Sequence, residues 1–189
     1  MKITVDAYPD MISSAGISNH IDGLYDAGMD RYGLELMTGT GLRSWYNMLR
    51  VGSTITMEAW DKIYKPNLDL THAWGAAPAN IIVRKLMGIE PLTPGFEKIR
   101  IRPMTGDLAF ARLTTPTIKG EVLVAFNKDA LEEKIEIMVP GAASADVYLA
   151  AGEQDRLLIG NIPAKMTPSN GYFVLKNVPP GTHHYTIKK

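Results

Sequence analysis

The chain changes its grammar at Pro91-Leu92-Thr93-Pro94-Gly95. Before this point apolar residues recur at helical spacing; after it they alternate in short runs. Proline fixes φ and lacks an N–H donor, and glycine is costly inside regular structure, so neither a helix nor a strand is expected to run through. Any fold must join a helical part, residues 1–90, to a strand-built part, residues 91–189.

In the helical part, residues 1–10 carry Asp6 and Pro9 and read as extended or loop, and the pattern turns helical from Met11. Ile17, Ile21, Leu24, Tyr25 and Gly28 share one face. Ser18 or Asn19 is a suitable N-cap, and Ala27-Gly28 is a stop. Asp30 is expected to cap a second short helix through Leu34 and Met37, ended by Gly39 and Gly41. A third covers 42–49 and ends at Gly52. A fourth spans about 71–87 with Gly88 as its close; Pro78 within it implies a kink or a shifted start.

In the strand-built part, alternating runs at 98–102, 109–114, 119–126, 134–139, 145–149, 171–175 and 184–187 are separated by turn signals such as Asn127-Lys128-Asp129, Pro140-Gly141 and Pro179-Pro180-Gly181. Strands at this spacing predict an antiparallel β-sandwich. Ile99, Ile101, Val122, Val124, Ile135, Ile137 and Val139 would face inward. Lys98, Arg100 and Arg102 would form a solvated basic face. No internal repeat is visible.

Composition narrows the function classes. Among 189 residues, 20 Lys and Arg balance 20 Asp and Glu. No general field draws nucleic acid or an anionic membrane. Cysteine is absent, which excludes disulfides and thiol catalysis and leaves the compartment open between cytoplasm and periplasm or exterior. No apolar run approaches the roughly 18 residues of a membrane span. Met1–Asp10 lacks the apolar core of a signal peptide. His183 and His184 are adjacent on an expected strand and point to opposite faces, so they do not chelate together. No metal or cofactor is expected.

The chemistry concentrates in Thr54-Ile55-Thr56-Met57-Glu58-Ala59-Trp60-Asp61 and Leu70-Thr71-His72-Ala73-Trp74-Gly75-Ala76-Ala77-Pro78. A carboxyl buried beside indole rings has a raised pKa unless donors or cations compensate. Flat rings stack on sugar C–H faces while a carboxylate handles the proton or the water, the requirement of glycoside chemistry. The alternative for Glu58 is a helix-start carboxylate favoured by the dipole. Trp74 is expected in the core of the fourth helix and Asp61 as a loop cap. Glu35 reads as part of a solvated helix face.

The segment Gly52-Ser53-Thr54-Ile55-Thr56-Met57-Glu58-Ala59-Trp60-Asp61 resembles the Gly-x-Thr-Thr-x-x-Glu-x-Trp segment of bacterial α-L-rhamnosidases. Leu70 to Ala79 resembles the His-containing segment that follows in that family. Arg84-Lys85-Leu86-Met87-Gly88-Ile89-Glu90-Pro91 and Pro94-Gly95-Phe96-Glu97-Lys98-Ile99-Arg100-Ile101-Arg102-Pro103 continue the match in register. These enzymes are inverting glycoside hydrolases with an (α/α)6 helical toroid and a C-terminal β-sandwich. The resemblance therefore implies an α+β multidomain fragment, the last toroid helices followed by the sandwich.

It further implies Glu58 as the general base and His72 as a contact to rhamnose, with Trp60 as a pocket wall. For His72 the alternative is capping or packing at the helix start; for Trp60 it is core packing. Met57 departs from the family, which usually has an aromatic there. The family's general acid lies in an Asp-x-x-x-Arg-x-Glu motif, which this sequence lacks; Asp30-Arg31 has no Glu in the right place. The chain alone is thus expected to be inactive. Its implied partners are a rhamnose-containing glycoside or polysaccharide and the missing N-terminal part of the same enzyme. Apolar helix faces left uncovered would favour self-association. The competing reading is a non-catalytic β-sandwich module that braces the toroid or binds carbohydrate. The scarcity of aromatics on the strands, with no Trp among them, favours bracing. Another toroidal glycosidase of different sugar specificity is a third reading.

Overall fold

The computed structural model describes residues 17–189, so the readings of 1–10 as extended and of helical pattern from Met11 to Gly16 lie outside it. The chain divides into two compact units, Met1–Ile82 and Val83–Lys189.

In the first unit, α1 spans Ile17–Asp26, α2 Asp30–Thr38 and α3 Trp45–Arg50. Ile17, Ile21, Leu24 and Tyr25 of α1 are buried, as their spacing predicts. Ser18 and Asn19 lie inside α1. Gly28, at φ 71°, ends the helix in a Schellman motif: its N–H donates to the Tyr25 carbonyl at 3.0 Å, and the Met29 N–H donates to the Leu24 carbonyl at 2.8 Å. Met29, and not Asp30, is the N-cap of α2. Gly33 allows α2 to approach α1, because a Cβ there would sit 2.7 Å from the Tyr25 ring. Ser44 caps α3 by accepting from the Asn47 N–H at 3.1 Å, so this helix starts later than the apolar pattern suggests.

The expected helix at 71–87 is broken. A 3-10 turn covers Ala73–Ala76, a short helix α4 covers Ala77–Ile81, and a π-helical turn covers Ile82–Leu86. Pro78 sits in the first turn of α4, where its missing N–H costs nothing. The stretch 51–72 has neither helix nor strand.

The second unit is a sandwich of two sheets. Its strands are β1 Ile89–Pro91, β2 Lys98–Ile101, β3 Phe110–Thr117, β4 Gly120–Lys128, β5 Glu132–Val139, β6 Ser144–Ala150, β7 Arg156–Ile159, β8 Ile162–Pro163, β9 Tyr172–Val178 and β10 Gly181–Lys188. The smaller sheet has the order β1-β2-β6-β9 and the larger β3-β4-β5-β10-β7-β8. All seven residues expected to point inward are buried. Each fully buried aliphatic side chain contributes about 1.5–3 kcal/mol relative to exposure. The pairing of β2 with β6 is parallel, an exception to the antiparallel expectation. It arises because β3, β4 and β5 pair with one another in the other sheet before the chain returns. Among the described residues strand outweighs helix, and the few short helices do not make up the toroid helices expected before the sandwich.

The basic stripe is not simply solvated. Lys98 pairs with Asp146 at 3.1 Å, and Arg100 pairs with Glu90. Asp146 also accepts from Lys176 at 3.0 Å and from the Asn177 N–H at 3.0 Å. It sits at a register shift between β6 and β9, and such a bulge re-aims a side chain toward donors that a regular ladder would have used.

Candidate active site

Two irregular segments of the first unit clamp onto each other. The Glu58 N–H donates to the Asp69 carbonyl at 2.9 Å, and the His72 N–H donates to the Thr56 carbonyl at 2.8 Å. The Thr56 hydroxyl donates back to the His72 carbonyl at 2.9 Å. This pairing of 56–58 with 69–72 brings together the two residues singled out for chemistry.

Asp69 links them. Its N–H donates to Glu58 Oε2 at 3.1 Å, and its Oδ2 lies 3.2 Å from His72 Nδ1. Lys65 Nζ donates to Glu58 Oε1 at 2.5 Å. The Glu58 side chain is 27% exposed. The Lys65 hydrogen bond, followed by the Asp69 N–H, holds its carboxyl below the usual range, and His72 adds to the effect. The raised pKa of a carboxyl beside indoles does not occur, because a cation and a backbone donor compensate. Asp69 is likewise held low, by the Thr71 N–H and then by His72.

The tryptophans exchange their expected places. Trp60 is 3% exposed and packs edge-on against Trp45, with centroids 5.0 Å apart. Its carbonyl accepts from Asn47 Nδ2 at 3.0 Å. It is core, not an open wall. Trp74 is 76% exposed and stands edge-on to His72 at 6.0 Å. The break into a 3-10 turn puts it outside, where a regular helix would have buried it. Asp61 accepts from the Ile63 N–H at 3.3 Å, a loop cap. Met57 is buried and its N–H points at Met48 Sδ, 3.5 Å away. A cavity of about 420 Å³ borders this loop and is lined by Thr54, Met57, Asp61, Leu70 and Thr71 among others, but not by Glu58 or His72. Sequence reasoning did not find Lys65, Asp69 or exposed Trp74. The one available signal was that an acid in this loop needs a nearby cation.

Among the described residues, no three His, Asp or Glu side chains group closely enough to hold a metal ion, and no helix is long and apolar enough to cross a membrane.

Short helices followed by a two-sheet sandwich, with a partnered carboxylate and an exposed indole in the irregular segments of the first unit, define the class: a helix-plus-sandwich piece. Residues 88–160 match the family model of the bacterial alpha-L-rhamnosidase C-terminal domain. No curated protein matches. Solved structures share the fold. The alpha-L-rhamnosidase of Dictyoglumus thermophilum is 24% identical with a TM-score of 0.80, over 89% of this chain and 20% of that one. The Streptomyces avermitilis alpha-L-rhamnosidase, solved with L-rhamnose, is 23% identical with a TM-score of 0.76, over 92% and 17%. The Aspergillus terreus enzyme is 20% identical with a TM-score of 0.69, over 87% and 18%. The chain thus spans no more than 20% of the length of these structures.

Proposed function

We propose that this chain is the C-terminal part of an enzyme that hydrolyses terminal α-L-rhamnosides with inversion, and that Glu58 is its general base. The observation that carries the reading is the joining of Glu58 and His72 through Asp69, in a chain whose sandwich matches the rhamnosidase family. An inverting hydrolase needs one ionised carboxylate to take a proton from water. It needs a second, protonated carboxyl on the leaving oxygen, about 6.5–9.5 Å away. Lys65 and Asp69 keep Glu58 charged, as the first role requires. His72, its Nδ1 tied to Asp69, turns Nε2 to a sugar hydroxyl. Trp74 offers an indole face to the sugar C–H groups, and Trp60 supports the loop from the core. The second unit, Val83–Lys189, is the enzyme's C-terminal sandwich domain. The general acid comes from the part of the enzyme outside this chain, so the chain alone is inactive.

The test is a chimera in which residues 17–189 replace the superposing segment of the Dictyoglumus thermophilum enzyme, assayed on an aryl α-L-rhamnoside. The isolated chain should give no turnover. The chimera should release the β-anomer first, seen by NMR, and Glu58→Gln should lower kcat by about 10²–10⁴-fold. A Glu58→Gln chimera as active as its parent would remove the base assignment, and an α-anomer as first product would remove inversion.

A further inference from the structure

The outer face of the larger sheet holds a cavity of about 690 Å³, within the roughly 300–1,000 Å³ of small-molecule sites. Strand registers line up two rows of side chains across it. Arg112, Ala125, Glu136 and His184 are successive partners over β3, β4, β5 and β10. Phe110 and Asn127 begin the next row. Because Ala125 is small, Arg112 reaches over β4 to Glu136, with Nη1 and Oε2 2.9 Å apart. One end of the groove is Phe110, 73% exposed on the edge strand. The other is the β7–β8 turn, fixed by the Gly160 N–H donating to the His184 carbonyl at 2.7 Å.

The chemistry of this groove selects its ligand. A protein interface has a centre depleted of charge, whereas the centre here is an ion pair. Nucleic acid or an acidic glycan calls for uncompensated cations. Arg112 is matched by Glu136, and Lys134 shares Glu132 with Lys188, so the groove carries at most one excess positive charge. The Arg–Glu pair sets donors beside acceptors, Asn127 and His184 supply both kinds, and Phe110 adds one flat apolar face. A ligand with many hydroxyls, no charge and an apolar C–H face fits that set. We propose that this groove is a non-catalytic binding site for a neutral oligosaccharide. It lies in the second unit, whereas Glu58 and His72 lie in the first; only the use of rhamnose in one probe rests on the catalytic reading.

The test is calorimetric titration of the 189-residue chain with two neutral oligosaccharides, one ending in α-L-rhamnose and one free of rhamnose, and with an acidic oligosaccharide for comparison. At least one neutral probe should bind saturably, with little change on added salt. Phe110→Ala should weaken binding about tenfold or more, Phe110→Trp should keep it, and Glu58→Gln should leave it unchanged. Amide NMR shifts should map to Asn127 and His184. Binding of the rhamnose-free probe, or binding beside an inactive chimera, would uphold the groove without the rhamnosidase reading. Preference for the acidic probe, no binding of either neutral probe, or binding lost in Glu58→Gln but kept in Phe110→Ala would each overturn the proposal.

Discussion

Glu58 is held charged from two sides, and the larger hold is Lys65. Lys65→Met should therefore raise the Glu58 pKa toward the free value of about 4.3, followed by NMR of its carboxyl carbon. An unchanged titration would show that the Asp69 N–H suffices alone. A second position is fixed by space. Gly88 has φ 72°, and a Cβ there would lie 2.0 Å from the Arg102 carbonyl carbon, whereas Gly95 at φ 69° faces open space. Gly95→Ala should cost about 1–2 kcal/mol for the left-handed backbone. Gly88→Ala should cost more than about 2 kcal/mol, because backbone must also move. Urea unfolding of the pair separates the two effects. At this scale the loop cap at Asp61 was legible in the sequence. The exchange of Trp60 and Trp74 was not, because it depends on a clamp between segments that neither segment displays.

Asp146 shows how an element is held in its sheet. Its side chain is 6% exposed. Burial pushes its carboxyl up, but the Asn177 N–H, Lys176 and Lys98 together hold it below the ordinary range. A depressed folded-state pKa adds stability that is present above the unfolded value of about 3.9 and lost as pH falls through the folded value. The sandwich should lose this support below about pH 4, and Asp146→Asn should flatten that part of the stability profile. An acid limb identical in the variant would mean that other carboxylates set it, Glu90 being the next in line. At neutral pH the substitution should cost about 1–3 kcal/mol, since Lys98 and Lys176 can turn to water. The long strands were legible because alternation over five or more residues has no helical counterpart. The short β1, β7 and β8 carry too few residues to show a period. The helix at 71–87 broke because Pro78 serves as a start, and periodicity does not distinguish α, 3-10 and π turns over four or five residues.

For the molecule as a whole, the two units differ in how they finish their surfaces. The sandwich encloses its apolar rows between sheets. The helical unit leaves Tyr46, Leu49, Ile55, Ile63 and Trp74 exposed, the first three around one cavity, whereas the sandwich's exposed Phe110, Ile118, Leu131 and Ile162 fall at strand ends and turns; grouped apolar exposure favours association. Light scattering should find the 189-residue chain associating as concentration rises, while residues 83–189 alone stay monomeric and rich in strand. Association by the shorter piece would move the sticky surface to the sandwich.

The order of the larger sheet has a consequence for synthesis. β10 lies between β5 and β7, yet it follows every other strand of that sheet in the chain. Until it emerges, β5 offers an open edge to any neighbouring nascent chain, and the β7–β8 hairpin has nothing to dock on. This eight-residue strand is thus the key that locks the sheet, and a message cut short before Gly181 would yield a product prone to pair with its own copies.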